Sequence, residues 1–98
     1  METNFENKIP VITNELKEAH SYLESEKMVI QNVKQQISDG VPMPAIDENL
    51  KKLYTHVSNQ VKEKKNSMEA VSFKYAAAFL KTLITTPYWH SWIETVKV

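Results

Sequence analysis

A chain of 98 residues with twelve lysines, twelve acidic residues and no net formal charge is long enough for one domain, residues 1–98, with a modest core. It has no cysteine, which excludes disulfide scaffolds, thiolate metal sites and cysteine nucleophiles and suits a reducing, cytoplasmic setting. Arginine is absent and glycine occurs once, which counts against guanine readout and bidentate phosphate clamps and excludes P-loop, Rossmann and G-x-S-x-G signatures.

The opening "METNFENKIP" is acidic and lacks the basic-then-apolar order of a signal peptide. From there the apolar residues recur at three and four. Phe5, Ile9, Ile12, Leu16, Ala19, Leu23, Ile30, Val33 and Ile37 form a stripe with Glu26 as the one miss, widened by Tyr22 and Val29. Pro10 suits a first helical turn. The spacing predicts one helix over about 10–38, roughly 40 Å long at about 1.5 Å per residue.

"SDGVPMP" ends that helix: Gly40 supplies a left-handed cap, and Pro42 and Pro44 bar continuation. So short a loop predicts an antiparallel neighbour over about 46–65, carrying Ile46, Leu50, Leu53, Val57 and Val61. The pattern lapses at "KEKKNS". "NSME" then reads as a capping box, with Asn66 as cap and Glu69 three residues on. A break or kink near Asn66 is expected rather than one helix over 46–85.

The next segment, about 67–85, is apolar on two faces. Met68, Val71, Tyr75, Phe79 and Leu83 form one; Phe73, Ala77, Leu80 and Ile84 form the other. A helix of this kind is surrounded, either by its own domain or by another chain. Val71, Phe73, Tyr75, Phe79, Leu80 and Leu83 are therefore candidates for an oligomer or partner face. Pro87 stops the helix, and "TP" can open another over about 87–97, with Thr86 as cap. In that tail Trp89, Trp92, Ile93 and Val96 share a face; a strand is the weaker reading. The tail either folds back to close the core or, with Tyr88, offers an aromatic anchor to a partner groove. Insertion at a membrane interface suits it less, since its polar side holds His90, Ser91, Glu94 and Thr95 rather than lysines.

Chemistry has little to work with. The histidines, His20, His56 and His90, are scattered. His20 and Glu24 lie four apart, which suits a surface ion pair better than half a metal site, because zinc needs three or four converging ligands. No cofactor and no metal are expected, and no transmembrane span. The run Lys62, Lys64 and Lys65 could meet phosphates, but Glu63 interrupts it and a solvated helix end explains it as well. Charge is nonetheless uneven. Residues 1–48 hold nine acidic groups and four lysines, and residues 49–98 hold three and eight, giving halves of −5 and +5. These could meet within the chain or between two chains.

The reading is an all-α domain: an antiparallel helical hairpin extended to a three- or four-helix bundle with a short C-terminal amphipathic helix. Its expected role is non-enzymatic, an adaptor or inhibitor that binds a larger protein, of a kind that phages and mobile elements encode. The alternatives are a self-assembling homo-oligomeric subunit and, less favoured, an accessory that binds nucleic acid.

Overall fold

The computed structural model describes residues 5–96 except His20 and Asn66, with side chains from residue 9 onward. Every regular element among them is α-helix: α1 (Phe5–Lys17), α2 (Tyr22–Ser38), α3 (Met43–Glu63), α4 (Met68–Thr85) and α5 (Trp89–Thr95).

The single helix expected over 10–38 is two helices. Hydrogen bonds of the tighter i→i+3 kind, Glu18 N to Glu15 O and Ala19 N to Leu16 O, close α1. Ser21 then adopts extended backbone and its hydroxyl accepts from the Glu24 amide at 3.2 Å, capping α2. The break resets the helical phase. Leu23, assigned to the inner stripe, is exposed, while Ser25 and Val29 turn inward. Pro10 lies inside α1 rather than in its first turn, at the cost of one helical hydrogen bond. No 40 Å rod exists; the described residues fill about 37 × 26 × 22 Å.

The α1–α2 corner is held from across the molecule. The Ser72 hydroxyl, on α4, donates to the Ala19 carbonyl that α1 leaves unpaired. Ser25 Oγ donates in turn to the Ser72 carbonyl at 3.3 Å. Both serines are buried, so α4 supplies hydrogen bonds to the corner that it covers.

Local residues set the second turn. Gly40, at φ 81°, follows α2; its amide bonds Ile37 O and the Val41 amide bonds Gln36 O, the paired pattern of a Schellman cap. Pro42 caps α3, which begins at Met43, so Pro44 sits in its first turn instead of before it. Between α3 and α4, Lys64 leaves helical geometry and Ser67 is the N-cap residue; Asn66, read above as the cap, lies outside the described residues. Ser67 folds back instead, its amide and hydroxyl both donating to Lys64 O at 2.8 and 2.9 Å. Thr86 ends α4 rather than capping α5; Tyr88 occupies the cap position.

α4 is the organising helix. It packs most extensively on α3, then on α2 and α1, whereas α2 and α3, the pair expected as the main hairpin, touch less. The core joins Leu16, Ile30, Val33, Ile46, Leu50, Leu53, Val57, Phe73, Leu80 and Ile93, each at most 1 % exposed. Among the described residues, buried polar side chains are paired. Gln36 accepts from the Asn49 amide and donates to Asn32, both at 2.8 Å, and His56 Nε2 meets Thr13 Oγ1 at 3.0 Å, which makes His56 a structural residue.

Candidate functional site

The fold divides the residues singled out in α4 and the tail. Phe73, Phe79, Leu80 and Leu83 are buried in their own domain, which corrects their assignment to an oligomer or partner face. Val71 and Tyr75 remain outside. The tail divides in the same way. Trp89 is 8 % exposed and Ile93 fully buried, so neither is a free anchor; Trp92 is 45 % exposed and Tyr88 77 %. Val96 is half-buried, and its carbonyl accepts from Lys34 Nζ, which ties the end of α5 to α2. The tail therefore closes the core with one side and faces solvent with the other.

The apolar residues that face outward lie along α4 and its neighbours. Met68, Val71 and Tyr75 recur at i, i+3 and i+7 on α4, all exposed. Tyr22, at the start of α2, meets Tyr75 edge to face with ring centroids 5.9 Å apart. One turn beyond Tyr75, Phe79 carries Trp92 from α5 at 6.1 Å, tilted by 58°. The exposed rings are Tyr22, Tyr75 and Trp92, the last seated on the buried Phe79, with Met68 and Val71 on the other side of Tyr75; from Met68 to Phe79 they follow roughly 16 Å of α4 at about 1.5 Å per residue. Tyr22 belongs to this row only because the α1–α2 break turned it outward. That signal was present in the sequence as Ser21-x-x-Glu24, a capping box inside an apparently unbroken stripe.

Electrostatics at the row are mild. Partial burial pushes the Tyr22 hydroxyl above its ordinary pKa, and Glu26 adds to this by its charge and by accepting the hydroxyl's hydrogen bond. Glu26, the miss in the expected stripe, thus fixes the first ring of the row. Tyr88 carries the backbone outlier of the described residues, a left-handed conformation at φ 62° and ψ 26° without glycine. For a bulky side chain this costs about 1–2 kcal/mol.

The lysine run does not converge. Lys64 pairs with Glu69 at 2.8 Å, and Lys64 and Lys65 share an open depression at the turn with Glu63 and Glu69. Lys62 points elsewhere, into the groove between α3 and α4. The Glu69 carboxyl is held below its ordinary pKa, chiefly by the hydrogen bond from Lys64, with the charges of Lys64 and Lys17 adding to it against partial desolvation. Among the described residues no three His, Asp or Glu side chains gather as metal ligands, and no helix is long and apolar enough to cross a membrane. Fold and surface together define an all-helical domain with an aromatic row on its outer side. No protein-family model, no curated protein and no solved structure matches the chain.

Proposed function

We propose that this protein is a non-enzymatic helical interaction module, an adaptor or inhibitor that works by laying the outer side of α4 and α5 against a larger protein. The observation that carries this reading is the exposed set Tyr22, Val71, Tyr75 and Trp92 along the outer side of α4, with Tyr22 edge to face on Tyr75 at 5.9 Å and Trp92 packed on the buried Phe79 at 6.1 Å. Tyrosine and tryptophan dominate interface hot spots because each offers a large rigid contact for little lost entropy, about 2 kcal/mol or more when centrally placed. Tyr88 supports the same reading. Its ring adds little to the core, yet its backbone carries strain that glycine would relieve, the pattern of a side chain kept for contact outside the domain.

The test is site-specific photo-cross-linking in the source cell. A benzoylphenylalanine at position 88 should give one discrete adduct with a heavier protein, lost when Tyr75→Ala and Trp92→Ala are combined with it. The same label at exposed Glu48 should give none. Adducts at the mass of two chains only, or identical adducts from both positions, would replace the adaptor reading with self-assembly or with non-specific contact.

A further inference from the structure

The ion pairs described, Lys51–Asp47 at 3.2 Å and Lys64–Glu69 at 2.8 Å, each join near neighbours in sequence. Charged side chains of opposite sign line two open grooves. Between α1 and α2 lies a groove of about 280 Å³ whose apolar part includes Val11 and Met28 and whose one charged lining residue is Glu15. Between α3 and α4 lies another, of about 540 Å³, in which Tyr54, Val61 and Ala77 supply the apolar part and Lys62 and Lys74 are the charged residues. Neither lysine has a carboxylate partner among the described residues.

We propose that these grooves are the two halves of one interface: the Glu15 groove of one copy docks on the Lys62–Lys74 groove of a second. Each groove offers apolar contact edged by a single sign of charge, and the complement of each is present on the same chain. An array built this way stays neutral as copies add, because every copy has net charge zero. The two surfaces differ, so the contact is heterologous and runs head to tail into a ring or a short chain. The aromatic row is not part of it and stays open to another partner. Exposed ion pairs contribute only about 0–1 kcal/mol each and are screened over about 10 Å at 0.1 M salt, so the association is weak and strongly salt-dependent.

Sedimentation equilibrium of the full chain decides the matter. In about 0.01 M salt, where screening reaches roughly 30 Å, the weight-average mass should rise with protein concentration above that of one chain. In about 1 M salt, where it falls to about 3 Å, the mass should return to one chain. Glu15→Lys alone and the pair Lys62→Glu with Lys74→Glu should each remain monomeric in low salt while keeping the helical circular dichroism of the parent. Mixing the two variants should restore association. Trp92→Ala should leave the low-salt mass unchanged, which separates this interface from the aromatic row. A single-chain mass at every salt concentration overturns the proposal. So does association that strengthens with salt, or a mixture that fails to restore it.

Discussion

Phe73 and Tyr75 stand two residues apart on α4 and have opposite fates. Phe73 is fully buried in the core; Tyr75 stands edge to face against Tyr22 and stays 37 % exposed. Both belong to apolar rows at helical spacing, so periodicity predicts burial for each. The difference between them comes from what lies over each row. The inner row is covered by the bulk of the domain. The outer one is met by Tyr22 of α2 at Tyr75 and by α5 at Phe79, which leaves its Met68 and Val71 end bare. An amphipathic pattern therefore marks which residues seek cover, while tertiary placement decides which of them find it within the chain.

The largest effect that can break this comparison is Phe73→Ala. Removing a fully buried ring costs about 3–5 kcal/mol, against a total stability of about 5–15 kcal/mol for a domain of this class. Tyr75→Ala should cost no more than about 1.5 kcal/mol, the scale of one edge-to-face ring contact. Urea denaturation of both variants measures the gap. Equal losses would mean that the outer row is as much a part of the core as the inner one.

Next comes Ser72→Ala, which sharpens the inner side. It removes a side chain of small volume but leaves the Ala19 carbonyl without its donor in a buried corner. An unsatisfied buried group costs about 1–3 kcal/mol, or roughly 4–8 °C of melting temperature per kcal/mol in a domain this size. Amide exchange should quicken first at residues 18–25. A melting temperature equal to the parent's would show that the break between α1 and α2 stands without α4.

That corner also shows where sequence reading stops. The turns at Gly40 and after Glu63 are written in adjacent residues: a glycine followed by Pro42 and Pro44 in one case, a lapse of apolar spacing followed by Ser67 and Glu69 in the other. The break at residues 18–21 carries no glycine or proline. Two helices that both face the core can keep three-and-four spacing across a bend, so the stripe from Ile9 to Ile37 looked whole. Only Glu26 and Ser21-x-x-Glu24 spoke against it, and the bond that secures the bend comes from Ser72, more than fifty residues away. The contact surface was legible in part for the same reason. Val71, Tyr75, Tyr88 and Trp92 could be marked as apolar and aromatic, but Tyr22 joined them only through a phase shift that local pattern conceals. Trp89 and Ile93 were grouped with Trp92 because a helical wheel cannot tell which part of a wide face a neighbour covers.

A smaller effect tests the tail. Trp92→Phe leaves Trp89 as the sole indole, and its emission should be blue-shifted and poorly quenched by iodide. Trp89→Phe leaves the half-exposed Trp92, whose emission should be red-shifted and readily quenched. Trp92→Ala should cost about 1 kcal/mol, the loss of its packing on Phe79. Blue-shifted emission from both single-tryptophan variants would mean that the outer end of the row is covered, either by a rearranged tail or by a second copy.

The smallest effect lies at the start of α4, where the Lys64–Glu69 pair spans the turn from α3. The Glu69 pKa is lowered in the folded state, so the folded protein binds this proton less readily than the unfolded chain does. Its contribution is therefore present above the unfolded value, about 4.3 for glutamate. It fades as pH falls through that value and is gone below the lowered native one. Wild type should melt slightly above Glu69→Gln at neutral pH, and the two should converge in acid. Salt should close the same gap at neutral pH, because both partners reach solvent. The contrast with Ser72 is the point. Both residues of α4 hold a chain break, but the buried bond has no water to replace it, whereas the exposed pair gives up to solvent most of what it gains. A difference at neutral pH that rivals Ser72→Ala, or one that persists below the native pKa, would place this turn on the covered side of the helix.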